Sequence, residues 1–269
     1  MEVDRLRTDA AELLRSGRAR MVIGFRARGD QRVPAFITDP GQTGDLVFDD
    51  ACRLNPAAYL RKPELKRFRP VAIVARPAVM RSLVLLAAES QITDADVLVM
   101  AVGPDVYHGV LDLAGTTALL KEKYADLPHD AAMLKRIEEL AAMTPQERAA
   151  FWAAQFAKCT RCYACRAACP GCYCERCIVE QNKPQWISTA ARRHGNYAWN
   201  VIRAFHQAGR CTECGACEAA CPQSIPLMLL NVRLAGDAQR EFKAKAGYDP
   251  AAKPVIGTWS EDDGEGFIR

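Results

Sequence analysis

Twelve cysteines carry most of the chemical capacity of this chain, and eleven of them fall between Cys159 and Cys221. Two runs share one spacing: Cys159-Thr-Arg-Cys162-Tyr-Ala-Cys165-Arg-Ala-Ala-Cys169-Pro170 and Cys211-Thr-Glu-Cys214-Gly-Ala-Cys217-Glu-Ala-Ala-Cys221-Pro222. Both read Cys-x2-Cys-x2-Cys-x3-Cys-Pro. A tight loop with a cysteine at every third position can offer three thiolates to three irons of one cubane, while the fourth cysteine, starting a helix after the loop, points away to a second cubane. By that logic Cys159, Cys162, Cys165 and Cys221 hold one 4Fe-4S cluster, and Cys211, Cys214, Cys217 and Cys169 hold the other. Pro170 and Pro222 end the loops, and Gly215 and Ala216 leave room for backbone amides beside the sulfides. Structural zinc is the competing chemistry. Zinc motifs, however, separate two pairs of cysteines, whereas a complete four-cysteine run occurs here twice.

The two motifs are 41 residues apart, more than a compact two-cluster protein uses, so an insertion must loop out between Cys169 and Cys211. It opens with Cys172-Tyr-Cys174-Glu-Arg-Cys177. Adding Cys52 makes three sets of four, so Cys52, Cys172, Cys174 and Cys177 are candidates for a third four-thiolate site, cluster or zinc. The plainer alternative leaves Cys52 as a buried core thiol and gives the trio zinc or a reserve role. Lys158, Arg161, Arg166 and Arg176 could favour the reduced, more negative cluster, form a docking surface, or simply be solvated. Tyr163 and Tyr173 are expected to pack over a cluster. His108, His129, His194 and His206 show no ligand spacing among themselves, and Asp49-Asp50 and Glu138-Glu139 read as solvated faces or caps. No catalytic residue is assigned.

The elements that must position these cysteines fall into two styles. Residues 20–113 alternate β-rich apolar runs (Met21 to Phe25, Val71 to Val74, Val97 to Ala101) with amphipathic stretches such as Arg81 to Ser90, which predicts an α/β domain. From Asp130 to Lys158 the apolar spacing turns helical, and Thr144-Pro145-Gln146-Glu147 carries the signature of a helix N-terminus. Trp186 to Ala208, with Trp199, Ile202, Phe205 and His206 near helical spacing, predicts another helix. The acidic stretch from Ser260 is expected to be mobile. The fold class is therefore α+β, mixed: an α/β docking domain over 1–128, a helical connector over 129–158, a bacterial-ferredoxin-like dicluster domain over 159–235 with its insertion at about 171–210, and an extension over 236–269.

Thirty-six basic against 32 acidic residues give a formal charge of +4, too balanced to imply a nucleic-acid partner. The N-terminus lacks the apolar core of a signal peptide and no apolar run approaches bilayer-spanning length, so a cytoplasmic chain without direct membrane insertion is expected.

The run Cys162-Tyr-Ala-Cys165-Arg-Ala-Ala-Cys169-Pro-Gly-Cys172-Tyr-Cys174 resembles iron-sulfur proteins of the deazaflavin-dependent hydrogenase and formate dehydrogenase β-subunit superfamily. Pro34 to Asp39, Leu46 to Cys52, Leu54 to Leu60 and Val71 to Ala75 look like the same family's N-terminal domain. Arg210 to Glu218 with Ile225-Pro226-Leu227 is similar to electron-transfer subunits found with heterodisulfide reductase-type flavoproteins. The resemblance implies a subunit of a hetero-oligomeric redox complex, linking a dehydrogenase- or hydrogenase-type catalytic subunit to a flavoprotein or ferredoxin. Where relatives carry Lys-Gly-Cys-Asp and a later Cys-Pro, this chain has Arg76-Pro77-Ala78-Val79 and Gly103-Pro104, so the resemblance does not carry over N-terminal redox chemistry at those two places. FAD binding is the alternative function, but no Gly-x-Gly-x-x-Gly follows a strand to support it. A cluster-based sensor is a third class, and no effector-domain signal accompanies it.

Overall fold

The computed structural model describes residues 3–179, 183–184, 187–256 and 261. They form two compact units, one from Met1–Asp126 with Ala246–Ala252, the other from Leu127–Lys245 with Lys253–Arg269.

The first unit is built on a mixed sheet. Strand β1 (Met21–Arg28) pairs antiparallel with β2 (Gln31–Ile37), and Arg28 faces Gln31 across the two-residue turn Gly29-Asp30. That turn needs a positive φ at its first residue, which Gly29 supplies at +59° without steric cost. The short β3 (Leu46–Val47) also pairs with β1, at Phe25 and Arg26. β1 runs parallel to β4 (Val71–Ala75) and β4 to β5 (Val97–Val102), and β6 (Tyr107–Leu111) returns antiparallel to β5. All five residues of β4 are buried, because a central parallel strand is covered on both faces and must be apolar throughout. Helix α1 (Val3–Arg15) covers one face with Leu6, Ala10 and Leu13, which are spaced for one helical side and pack with Val22, Ala72, Val74 and Met100.

A four-residue helix α2 (Pro63–Lys66) precedes β4; helix α3 (Pro77–Ala88) follows β4 and packs on β4 and β5 together with α4 (Leu113–Lys123). The expected amphipathic helix at this point is instead submerged: every residue from Val79 to Leu86 is buried, Arg81 and Ser82 included. The Ser82 hydroxyl accepts from Asn55 Nδ2 at 2.8 Å. Arg81 donates from Nε to the carbonyl of Ala246 at 3.1 Å, and its guanidinium lies 4.9 Å from the Tyr248 ring centroid. Tyr248 in turn donates its hydroxyl to the carbonyl of Tyr124 at 2.7 Å. The segment 246–252 thus belongs to the first unit because one buried arginine and one buried tyrosine find their partners there. A charge at Arg81 breaks the apolar stripe in the sequence but not the burial of the helix.

The second unit is helical. Helices α5 (Ala131–Ala142) and α6 (Pro145–Ala157) are joined at the expected N-terminus: the amide of Thr144 donates to Glu147 Oε2 at 2.9 Å, and the amide of Glu147 donates to Thr144 Oγ1 at 3.3 Å. Arg148 closes the end of α5, donating to the carbonyls of Leu140, Ala141 and Met143. Two four-residue helices follow, α7 (Ala164–Ala167) and, further on, α9 (Ala216–Ala219), with α8 (Arg193–His206) between them and α10 (Leu227–Phe242) after. The helix expected from Trp186 begins only at Arg193; residues 185 and 186 lie outside the described residues, as does the acidic stretch after Ser260 apart from Glu261. Among the described residues no helix is long and apolar enough to cross a membrane.

Candidate metal centre

Both cysteine motifs fold the same way. The third and fifth residues of each loop are left-handed: Arg161 and Tyr163 at φ 59° in the first, Glu213 at 57° and Gly215 at 74° in the second. This winding turns the amide of Arg161 onto Cys159 Sγ and that of Glu213 onto Cys211 Sγ, each at 3.4 Å. Paying left-handed strain twice at non-glycine residues in one loop is a mark of a functional site, since each such residue costs of order 1–3 kcal/mol. The third cysteine of each motif, Cys165 and Cys217, sits in the short helix α7 or α9. The fourth follows that helix, with the amide of Cys169 bonded to the Arg166 carbonyl and that of Cys221 to the Glu218 carbonyl. The fourth cysteine therefore ends a helical turn; the expectation that it starts one is corrected, because the turn is completed before Pro170 or Pro222 can break it.

Helices α7 and α9 pack on each other and bring the motifs together. Burial pushes the Cys165 thiol up, and Cys159 of its own motif and Cys221 of the other add to the effect. Burial likewise drives Cys211 well up, with Cys217, Cys214 and Cys169 as its charged neighbours. Cys217 is pushed up to about 12, chiefly by burial, although Arg203 opposes the shift. Cys162 and Cys174 are exposed and Cys52 and Cys217 buried. Among the described residues no three His, Cys, Asp or Glu side chains converge on one ion's coordination distance.

The insertion supplies what holds the loops, through a stripe of α8 that the sequence reading missed. Asn196, Asn200, Arg203 and Gln207, spaced by four, three and four residues, are all buried, while Phe205 is 56% exposed. Asn196 Nδ2 donates to the Cys159 carbonyl at 2.7 Å, Arg203 Nη2 to the Cys165 carbonyl at 3.1 Å, and Gln207 Nε2 to Cys172 Sγ at 3.4 Å. The Cys169 thiol donates to Gln207 Oε1 at 3.6 Å. From the other motif's side, Asn231 on α10 donates from Nδ2 to Cys217 Sγ at 3.5 Å. A polar stripe at core spacing was the available signal: this helix faces carbonyls and sulfurs, which need donors, not hydrocarbon.

Arg161, grouped in the sequence with solvent-facing bases, is buried under α8, donating from Nη1 to the Gly195 carbonyl at 2.6 Å and lying 5.5 Å from the rings of both Tyr163 and Trp199. Lys158 and Arg176 are exposed. Tyr163 packs edge-on against Trp199, and Tyr173 lies under Arg210. Of the remaining cysteines, Cys172 is hydrogen-bonded to Cys169, a contact that lowers the pKa of Cys169 despite its burial and raises that of Cys172. Cys52 lies in the first unit with its thiol 3.7 Å from Asp49 Oδ1 and 3.9 Å from the Val47 carbonyl, its acidity weakened by burial.

Residues 158–226 match the family model of the 4Fe-4S dicluster domain. This segment is an iron-sulfur domain. The chain is 33% identical over 100 residues to the F420-dependent formate dehydrogenase subunit beta of Methanocaldococcus jannaschii, covering 37% of this chain and 24% of that protein. It is 30% identical over 106 residues to the F420-dependent formate dehydrogenase 1 subunit beta of Methanococcus maripaludis, covering 39% and 27%. The chain thus spans about a quarter of the length of these curated relatives. The residues present fit iron-sulfur clusters: cysteine sulfurs meet backbone amides, and the buried Nε of Arg203 and of Arg161 have no hydrogen-bond partner among the described residues, leaving positive charge for an anionic group.

Proposed function

We propose that this chain is the electron-transfer subunit of a multi-subunit redox complex. Two 4Fe-4S clusters, one on Cys159, Cys162, Cys165 and Cys221, the other on Cys211, Cys214, Cys217 and Cys169, relay single electrons between a dehydrogenase- or hydrogenase-type catalytic subunit and a flavoprotein or ferredoxin. The observation that supports the reading is the packing of helix α7 on α9, which gathers the two motifs so that Cys221 is among the neighbours of Cys165 and Cys169 among those of Cys211. When bound, each cluster supplies reversible one-electron chemistry at a potential set by hydrogen bonds to sulfur, local charge and exposure. The protein's part is to hold the thiolates, to aim the amides of Arg161 and Glu213 at sulfur, and to keep the buried Arg203 cation close to cysteines of both sets. The relatives' description as formate dehydrogenase beta subunits supports the class of partner.

The test is iron, sulfide, zinc and flavin analysis of the anaerobically purified chain, with electron paramagnetic resonance after dithionite reduction. Interacting cubane signals without flavin support the relay; zinc in place of iron overturns it, and bound flavin moves the chain towards an enzyme subunit. Cys221→Ser is expected to alter the cluster of the first motif and Cys169→Ser that of the second. If each change alters only the cluster of its own motif, the exchange of ligands is wrong.

A further inference from the structure

The cysteines left over by the two-cluster reading are gathered by the fold. Cys172, Cys174 and Cys177 line one pocket of the second unit, a cavity of about 50 Å³ that is partly open to solvent, and His206 at the end of α8 lines it with them. Two of its walls are cationic. Arg203 is only 5% exposed, faces this pocket, and keeps an Nε without a hydrogen-bond partner among the described residues. Arg210 is fixed at the rim by donating to the carbonyls of Gly171 at 3.2 Å and His206 at 3.1 Å, which also holds the helix end that presents His206. Anchored by Nη2 on the Cys165 carbonyl, this guanidinium still has one buried donor to satisfy, and a desolvated donor left unbonded is costly, so an anion beside Cys172 suits it. Three thiolates around a cluster supply one.

We propose that Cys172, Cys174, Cys177 and His206 hold a third 4Fe-4S cluster. On assembly the three thiols release their protons to solvent and bind iron as thiolates, and the neutral imidazole of His206 gives a nitrogen to the fourth iron. Histidine replaces cysteine on iron in other iron-sulfur centres, raising the potential when it does so. Cys172 stands three residues beyond Cys169, across Pro170-Gly171, and the side-chain amide of Gln207 reaches the sulfurs of both. The third cluster therefore adjoins the cluster proposed on Cys169 and extends the relay. His206 shares its pocket with the trio. Cys52 belongs to the other unit, where Val47 and Asp49 already surround its thiol.

The experiment is iron, sulfide and zinc analysis with native mass spectrometry on the anaerobically purified full chain. About twelve irons per chain are expected. Cys174→Ser and His206→Ala, both at exposed positions, are expected to lower the count towards about eight while the reduced-state resonance signals of the other clusters persist. His206→Cys is expected to keep the full count. About eight irons in the unsubstituted chain, unchanged in Cys174→Ser, overturns the third site and leaves the two-cluster reading standing; the absence of iron overturns both. One zinc per chain lost with Cys174→Ser overturns the cluster in favour of zinc. If Cys52→Ser loses a cluster and His206→Ala does not, the fourth ligand is Cys52 and the assignment of His206 fails.

Discussion

Replacing Arg203 by methionine isolates the electrostatic part of the site. The side chain keeps much of its length and loses its charge. Arg203 is buried, its Nη2 is anchored on the Cys165 carbonyl, and its surroundings hold it ionised: burial alone would weaken its hold on the proton, but Cys172, Cys169, Cys217 and Cys165 more than offset this. These four cysteines include ligands proposed for both clusters, so an electron arriving on either one gains from the same cation. At a separation on the order of 8 Å and an effective dielectric of about 20, the attraction between that electron and the guanidinium is about 2 kcal/mol. For a one-electron couple, in which about 59 mV is a tenfold change in equilibrium, this is a fall of about 90 mV in midpoint potential. Anaerobic redox titration followed by electron paramagnetic resonance measures it. Arg203→Met is expected to lower both midpoints, and Arg203→Lys, which keeps a charge but not the fork, to recover most of the shift. Intact clusters whose midpoints move by less than about 20 mV in Arg203→Met, or move upward, would refute the argument.

The remaining predictions concern stability and can be assigned to the units by urea denaturation followed by hydrogen exchange. Asp96 is held by the Arg69 guanidinium at 2.8 Å and by the amide of Thr93 at 2.8 Å; burial works against its carboxylate, but these partners win and keep its pKa below the ordinary value. Since the folded pKa is the lower one, the stabilisation is complete above the unfolded value of about 3.9 and disappears as pH falls through the folded value. Asp96→Asn is thus expected to cost about 1–3 kcal/mol at pH 7 and progressively less below about pH 4; a cost that does not change with pH would exclude this account. Thr144→Ala removes one half of the reciprocal cap on α6 and is expected to cost about 1 kcal/mol in the second unit, with faster exchange in the first turn of that helix. Gly247→Ala is expected to destabilise the first unit by about 2 kcal/mol or more, since Gly247 has φ +79° and a Cβ there would strike the carbonyl of Arg81; a neutral result would mean that 246–252 is not anchored as described.

What the sequence made legible, and what it hid, follows from how each element is stabilised. The sheet announced itself where burial is two-sided, as in Val71 to Ala75, and the α6 start was readable because a cap is chemistry between neighbours. The cysteine spacing was readable for the same reason: a cluster loop is local, and only its winding through left-handed Arg161, Tyr163 and Glu213 escaped a reading that looks for glycine at such positions. The failures share the opposite property. Arg81 inside α3, Tyr248 in a segment that rejoins the first unit 124 residues after its partner Tyr124, and the polar stripe of α8 are each stabilised by partners remote in sequence, so a charged or amide side chain gives no local sign that it is buried. In α8 the buried face mixes Trp199 and Ala204 with polar side chains. Apolar Phe205 faces water while Arg203 and Gln207 face inward, because what lies inward is a set of cysteine sulfurs and loop carbonyls. A helix lying beside clustered thiolates should therefore be read by the spacing of its hydrogen-bond donors, and by that criterion residues 196, 200, 203 and 207 mark the buried face as clearly as leucines would in an apolar core.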